Sequence, residues 1–232
     1  MNINNYNELI SYLDTIKDEK YKEFHSKLLK NNKINLLGVR TPKLKEIAKH
    51  LSKKNYKDFI NTKHNTYEEI LIHGLILGFI KIEFNELLKL LDKFIPYINN
   101  WATCDLTVSN LKQFKKNQEL GFKYINKCIN NKNIWKQRFG IVLLNSYYIN
   151  DNYINSILET LTNIKTNEYY LEMAIAWCLS TCYIKYPNIT INILKNKQLE
   201  KNIHNKTIQK IIESTRIKKK KKNKIRKLKI KT

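Results

Sequence analysis

The chain has 232 residues, so it can bury roughly 70 % of its unfolded surface and needs neither disulfides nor metals in order to fold. Only 5 glycines and 3 prolines occur, and there is no GxGxxG or GxxxxGK[ST] motif, which argues against all-β folds and against enzymes with glycine-rich nucleotide loops. The net charge of +23 favours a polyanionic partner, with nucleic acid ahead of an acidic membrane surface.

Apolar residues recur with helical periodicity along most of the chain, and no segment reads as a strand. Asn31–Thr41 is predicted to be a loop. Thr41 as N-cap and Pro42 at the first helical position then predict a helix that runs to about Lys53. The other predicted helices cover Glu8–Ile16, Tyr21–Leu29 and about 66–81, 83–94, 102–114, 118–129, 133–149, 151–163, 167–185 and 205–215.

Nothing in the sequence indicates a membrane segment, a signal peptide or a metal site. The apolar stretch Ile70–Ile80 is too short to span a bilayer, and the N-terminus lacks a basic region followed by an apolar one. The cysteines form no CxxC pair and have no zinc-type spacing with histidine. We therefore expect small core cysteines and a cytoplasmic protein, associated with the nucleoid in a prokaryote. The four cysteines are Cys104, Cys128, Cys178 and Cys182.

A repeat of charged residues, each followed by apolar turns, runs along the chain. Its starts are Glu69, Asp105, Arg138, Glu172 and Lys206, spaced by 36, 33, 34 and 34 residues. A helix pair of this length does not bury its apolar face alone, so such pairs stack into a right-handed solenoid of the HEAT or armadillo kind. We therefore expect an all-α solenoid with a concave basic cleft, in which Asp105 and Arg138 converge. Alternatively, these charges are only solvated helix starts.

The segment from Lys218 to the end, KKKKKNKIRKLKIKT, is low in complexity and holds no acidic residue. Because its adjacent lysines repel one another, we expect residues 1–217 to form a single HEAT-like domain and residues 218–232 a disordered tail. Lys218, Lys219 and Lys220 are candidate phosphate contacts. The alternative is a solubilising tail that reflects AT-rich coding sequence.

Tryptophans and charged residues stand at helical spacing on successive repeats. Trp101 and Asp105 are four residues apart and Trp135 and Arg138 three, so each pair shares one helix face. Trp177 lies one repeat further on, and the stack would bring an aromatic ring, a carboxylate, a guanidinium and a second aromatic ring toward one region. Simpler interpretations are core positions for Trp135 and Trp177, a helix-start carboxylate for Asp105, and an ion pair between Asp105 and Arg138.

The loop LLGVRTPK is a candidate phosphate site. Gly38 permits a turn with positive φ, and Arg40, Lys43 and Lys45 lie at or just after a helix N-terminus, which suits an anion. The alternative is that the three cations are simply solvated.

With these residues, the chain resembles the HEAT-like DNA alkylation repair glycosylases of the AlkD family. The similarity extends over almost the whole chain in the family's order. Ala102 departs from the family, in which an acidic residue often follows the motif tryptophan. The matching stretches are LLGVRTPKLKEIAKHL at 36–51, NNWATCD at 99–105, WKQRFGIVLL at 135–144, YYLEMAIAWCLSTCYIKYP at 169–187 and KTIQKIIESTRI at 206–217.

The resemblance implies a monomeric enzyme without a cofactor that excises cationic N-alkylated purines, such as 7-methylguanine and 3-methyladenine, from double-stranded DNA. It assigns the catalytic carboxylate to Asp105, the cleft tryptophans to Trp101 and Trp177, and the cleft arginine to Arg138. Two other hypotheses remain, a HEAT-like scaffold that binds nucleic acid without chemistry and a protein-interaction solenoid. The net charge favours nucleic acid, and a carboxylate among the tryptophans favours the enzyme.

Overall fold

A computed structural model of the chain describes residue 3 and residues 5–29, 34–54 and 56–231. These residues contain fourteen α-helices and no strand, so the predicted all-α class is confirmed. The helices are α1 (Tyr6–Thr15), α2 (Glu19–Leu29), α3 (Thr41–Leu51), α4 (Tyr56–Ile60), α5 (Tyr67–Phe79), α6 (Phe84–Phe94), α7 (Trp101–Asn110), α8 (Gln118–Ile129), α9 (Ile134–Leu143), α10 (Ile154–Asn163), α11 (Tyr169–Lys185), α12 (Pro187–Lys195), α13 (Lys201–Glu213) and α14 (Lys219–Arg226).

The chain divides into two compact units, Met1–Asn117 and Gln118–Thr232. In each unit, a helix packs against the helix that comes two places later in the chain, as in α-helical repeats. The first unit stacks α3 on α5 and α5 on α7, and the second stacks α9 on α11 and α11 on α13. The expected single domain over 1–217 and its concave basic cleft stay predictions.

In the first unit, α5 is the central helix and is buried on nearly all sides. A capping box fixes its start, because the Thr66 side chain accepts a hydrogen bond from the Glu69 backbone and the Glu69 carboxylate accepts one from the Thr66 backbone. Gly74 lets α7 approach closely, since a methyl group there would overlap the Thr107 side chain. Packing on α5 therefore fixes the position of α7, which carries Trp101 and Asp105.

Most predicted helices lie within a few residues of the observed ones. Thr41 is the first helical residue rather than the N-cap, because the Arg40 carbonyl accepts hydrogen bonds from the Lys43 and Leu44 backbone N–H groups. The short helices α4 and α12 were not predicted, and neither was α14. The predicted helix over 133–149 changes to a π-helix at Leu144–Tyr148. Part of the predicted loop Asn31–Thr41, residues 31–33, lies outside the described residues.

The expectation of a disordered tail does not agree with the structure. Residues 219–226 form helix α14, and Ile225 is only 3 % exposed. The Asn205 side chain of α13 donates a hydrogen bond to the Ile230 carbonyl oxygen at 2.9 Å and accepts one from the Ile230 backbone N–H at 3.0 Å. His204 Nε2 lies 2.9 Å from the Leu228 carbonyl oxygen. One side of α14 is buried and the segment after it is hydrogen-bonded to α13, while the lysine ammonium groups of α14 extend into solvent on the other side. Because water screens the repulsion between these ammonium groups, burial and hydrogen bonding outweigh it.

The four cysteines are buried and free, as expected for small core residues. Among the described residues, no helix is long and apolar enough to cross a membrane.

Two histidines form a buried pair in the first unit. His64 Nε2 lies 2.9 Å from His73 Nδ1, and the rings of Phe59 and Phe94 pack against them. Burial is the main cause that lowers the pKa of His64 to about 4 and that of His73 to about 3, with nearby Glu69 partly opposing the shift at His64. Both imidazoles are therefore neutral in the folded protein at neutral pH.

This pair predicts an acid-sensitive fold. Below pH 6.5 the unfolded imidazoles take up protons and the folded ones do not, so stability present above about pH 6.5 is lost as the pH falls toward 4. We expect each imidazole to cost about 1–2 kcal/mol of unfolding free energy between pH 7.5 and 5. Urea unfolding at pH 7.5 and pH 5 measures the unfolding free energy at each pH. The difference between the two values should be smaller in the His73→Gln variant than in the wild type. An unchanged difference in that variant would contradict the assignment.

Candidate nucleic-acid interface

Helix α7 holds Trp101 and Asp105 on a face that is not fully buried. Asn100 is the N-cap, and its side-chain oxygen accepts a hydrogen bond from the Thr103 backbone N–H at 2.8 Å. The opposite face is buried, so the helix cannot rotate without losing its core contacts. That buried face consists of Ala102, Thr103, Cys104, Thr107 and Val108.

The position of Asp105 excludes one of the simpler interpretations. Trp101 is the first residue of the helix, so Asp105 lies beyond the first turn. The first turn itself contains no acidic residue. Asp105 is therefore not a carboxylate at the start of the helix, and its side chain is only half-buried. Ala102 is 3 % exposed, so an acidic residue at that position would be desolvated.

In the second unit, Trp135 and Arg138 converge on Tyr170. Arg138 Nη1 donates a hydrogen bond to the Tyr170 carbonyl oxygen at 2.6 Å, and the rings of Trp135 and Tyr170 lie 5.2 Å apart. Arg138 is 5 % exposed, whereas Trp135 and Tyr170 are half-buried. The predicted pairing of Trp135 and Arg138 on one face is observed. Tyr170 is a new member of this site, and its only sequence signal was its place in the matching stretch 169–187.

Trp177 is not a core residue. It is 40 % exposed, although the residues on either side of it, Ala176 and Cys178, are fully buried. Tyr170 precedes it by two helical turns on α11, so both rings lie along one side of the helix. An exposed tryptophan beside a tyrosine provides a surface of the kind on which nucleic-acid bases stack.

Three of the five repeated charged residues, Glu69, Arg138 and Glu172, are buried and are not solvated helix starts. Glu69 is 1 % exposed and Glu172 is 4 % exposed. The Glu172 carboxylate accepts a hydrogen bond from Lys206 Nζ at 2.8 Å, which joins α11 to α13. Arg138 joins α9 to α11 through Tyr170 in the same way. Arg138, Glu172 and Lys206 connect successive repeats, so the regular spacing of these three residues has a structural cause.

The predicted phosphate site at the start of α3 carries its own counterions. Arg40 donates two hydrogen bonds to Asp18, at 3.1 and 2.7 Å, and its guanidinium lies 5.1 Å from the centre of the Tyr21 ring. The backbone N–H of Tyr21, followed by Arg40, lowers the pKa of Asp18. Sequence reasoning missed Asp18 and Tyr21 because they lie about 20 residues before Arg40 in the chain.

Lys43 and Lys45 differ in their surroundings. Lys43 Nζ pairs with Glu46 at 2.9 Å and lies over the Tyr12 ring. Hydrogen bonds to Glu46 and then Tyr12 raise its pKa. Lys45 takes part in no ion pair within the described part of the chain. A phosphate at this helix start would therefore meet Lys45 unpaired and would have to compete with carboxylates for Arg40 and Lys43.

A buried carboxylate shapes the loop before α3. Glu68 accepts hydrogen bonds from the backbone N–H groups of Leu37, Gly38 and Val39, at 2.9, 2.8 and 3.1 Å. Gly38 has φ of 98°, and a Cβ there would lie 2.7 Å from the Asp18 carbonyl oxygen. The predicted positive φ is confirmed, and no other residue type fits this turn without strain.

The tail lysines lie at the start of α14. Lys218 precedes the helix, Lys219 and Lys220 begin it, and all three are exposed. They are open to a phosphate backbone but belong to an ordered helix rather than to a mobile arm.

These features define the class of the protein. The chain is an all-helical repeat protein with strong positive charge, in which one helix presents a tryptophan with a carboxylate and another presents an exposed tryptophan. The family profile described as DNA alkylation repair enzyme matches residues 6–215, so the chain belongs to this family. The resemblance read from the sequence is thereby confirmed. No curated protein matches the chain.

Replacing Glu68 by Gln should destabilise the first unit. In the wild type, both oxygens of the Glu68 carboxylate accept hydrogen bonds from backbone N–H groups. Glutamine replaces one of these oxygens by an NH₂ group, which cannot accept, so at least one backbone N–H loses its partner. The expected cost is about 2–3 kcal/mol of unfolding free energy. Chemical denaturation measures the change. The control is Glu46→Gln, which removes an exposed ion pair and should change the unfolding free energy by less than about 0.5 kcal/mol. Equal effects of the two substitutions would show that Glu68 does not hold the loop.

Proposed function

We propose that the protein is a DNA glycosylase that excises cationic N-alkylated purines, with 7-methylguanine and 3-methyladenine as examples, from double-stranded DNA. Membership of the DNA alkylation repair enzyme family supports a repair enzyme that acts on DNA. The observation that carries the finer proposal is the half-exposed Asp105 one turn after Trp101 on α7. A protein that only binds phosphates gains nothing from such a carboxylate, because it repels them.

The proposed reaction needs little help from the protein. A purine alkylated at N3 or N7 is already cationic, so when its glycosidic bond breaks, the bonding electron pair leaves with the base and neutralises it. Positive charge then develops on the sugar, and water adds to the sugar and releases a proton. No general acid is required because the leaving base departs neutral.

Asp105 is the proposed catalytic group. Its carboxylate would stabilise the cationic sugar and orient the attacking water. At about 4 Å and an effective dielectric of 20, two unit charges attract by about 4 kcal/mol, or roughly a thousandfold in rate. This is the largest single contribution that the residues of α7 can make.

The aromatic and basic residues are proposed to hold the damaged nucleotide and its flanks. Trp101 and Trp177 would contact the cationic nucleotide, and a cation over a tryptophan face gains about 1–2 kcal/mol. Arg138 is the proposed phosphate ligand; the Tyr170 carbonyl already fixes its orientation at Nη1. Further proposed DNA contacts are Arg40, Lys43, Lys45, Trp135, Lys218, Lys219 and Lys220.

The decisive variant is Asp105→Asn, which keeps the shape and removes the charge. Excision of 7-methylguanine should fall by about 10²–10³-fold, because the stabilisation of the sugar cation is lost. Binding to undamaged duplex should be unchanged or slightly tighter. Abasic sites formed in methylated duplex DNA, revealed by alkaline cleavage, give the rate.

A matched control is Asp58→Asn, which makes the same charge change on an exposed carboxylate of the same unit. It should excise at the wild-type rate. A large loss of stability in Asp105→Asn, with excision at saturating DNA retained, would show that Asp105 is structural. A wild-type protein that binds methylated DNA and releases no base would establish the non-catalytic scaffold instead.

The same chemistry limits the substrates. Uracil is neutral and leaves as an anion unless it is protonated or strongly hydrogen-bonded, and the proposed site supplies no acid. We expect uracil release to be negligible beside release of 7-methylguanine under the same conditions. Efficient release of uracil by the wild-type protein would contradict this mechanism.

A further inference from the structure

A groove lies where the C-terminal segment meets α11 and α12. It has a volume of about 350 Å³, and its floor includes Tyr183, Ile191 and Ile225. Its cationic rim is formed by Lys195 at the end of α12 and by Lys221 and Lys224 of α14. We call it the C-terminal groove. None of its lysines is among the residues that the resemblance or the proposed function uses.

Docking of the C-terminal segment builds this groove. Ile225 of α14 is buried, and the backbone of Ile230 is bound by the Asn205 side chain through one donated and one accepted hydrogen bond. Lys221 precedes Ile225 by one helical turn, and Lys224 precedes it by one residue. The burial of Ile225 therefore fixes which side of α14 faces α12. The rim is therefore held in place by the fold and does not depend on a flexible arm.

The positive charge of the rim is not balanced by protein carboxylates. None of the ion pairs within the described part of the chain involves Lys195, Lys221 or Lys224. The segment 216–232 contains eleven basic residues and no acidic one. Holding like charges together costs free energy that a bound polyanion recovers, with release of its counterions.

The outward face of α14 favours DNA over a lipid surface. A helix that lies in a membrane interface needs exposed apolar residues to insert. In α14 the only apolar residue is Ile225, and it points into the protein. The apolar part of this site is the recessed floor of the groove, which suits a sugar ring beside a phosphate.

We propose that the C-terminal groove binds the sugar–phosphate backbone of DNA, with phosphate oxygens at Lys195, Lys221 and Lys224 and a deoxyribose against the floor. The inference rests on the proposed function only in taking DNA as the partner. Lysines are point charges without the fork geometry that reads a base edge, so this contact has no sequence preference. Its role is to hold undamaged flanking DNA while the other residues act on the lesion.

The test compares two triple variants that remove the same charge. One is Lys195→Gln, Lys221→Gln and Lys224→Gln; the control is Lys132→Gln, Lys165→Gln and Lys201→Gln, three exposed lysines of the same unit. Affinity for an undamaged duplex is measured over a salt series. The slope of log K against log salt is negative, and each lost phosphate contact makes it less steep by about 0.9. The slope of the groove variant should therefore flatten by about 2–3 units and that of the control by less than about 1.

At about 50 mM salt, we expect the groove variant to bind the duplex about 10- to 100-fold more weakly than wild type. Equal slopes for the two triple variants would overturn the proposal, since net charge alone would then explain binding. The proposal would also fail if the groove variant lost binding to vesicles of anionic phospholipid while its DNA slope stayed at the wild-type value.

A second variant, Asn205→Ala, leaves every charge in place and removes the two hydrogen bonds to Ile230. It should flatten the salt dependence of binding, as the groove variant does, because Lys221 and Lys224 are no longer held beside Lys195. Circular dichroism checks that the helices remain. A wild-type slope in this variant would overturn the groove as the binding unit.

Excision at saturating methylated DNA separates this inference from the proposed glycosylase. The groove variant should then excise at the wild-type rate, because its lysines take no part in the chemistry. If the wild-type protein excises nothing, the glycosylase proposal fails, and the comparison of salt slopes still decides whether the groove binds DNA.

Discussion

The first unit depends on one buried carboxylate. Glu68 at the start of α5 satisfies three successive backbone N–H groups of the loop before α3. Without it, those donors would be desolvated and unpaired, at a cost of about 1–3 kcal/mol each. The interaction also sets where Arg40 and the first turn of α3 lie, because both follow directly from the loop. A single side chain thus couples the packing of α5 to the position of the candidate phosphate contacts.

The second unit uses polar side chains to join successive repeats. Arg138 binds the Tyr170 carbonyl, Glu172 binds Lys206, and Lys185 donates to the Ile149 carbonyl oxygen at 3.1 Å. Each bond reaches from one repeat to the next, about 30 to 36 residues away. Apolar packing alone would let helices slide along one another, whereas bonds at fixed positions along each helix set the register. The exposed Trp177 owes its position to this register.

Charge serves two purposes in this molecule. Buried charges such as Glu172 are paired and hold the fold, while the lysines of α14 face solvent and have no carboxylate partner in the described part of the chain. Asp105 is half-exposed and is a negative charge in a chain of net charge +23. A positive surface that attracts DNA and a carboxylate that favours a cationic sugar are compatible, because they act on different parts of the nucleotide.

The sequence by itself determined the helical class, the repeat and most of the helix positions. Periodicity fixed these because an amphipathic helix carries its burial pattern in consecutive residues. It also paired Trp101 with Asp105 and Trp135 with Arg138, since i,i+3 and i,i+4 neighbours share a face by local geometry alone. The family followed from the order of several loose motifs along the chain.

Only the tertiary structure decided what lies opposite those residues. Tyr170 beside Arg138, Asp18 beside Arg40 and the exposure of Trp177 all depend on how distant segments pack, which periodicity does not encode. The same reason explains the tail. Its lysines predict repulsion and disorder when taken one after another, but the burial of Ile225 and the hydrogen bonds of Asn205 fold it against α13, because the partners that stabilise it lie outside the tail itself.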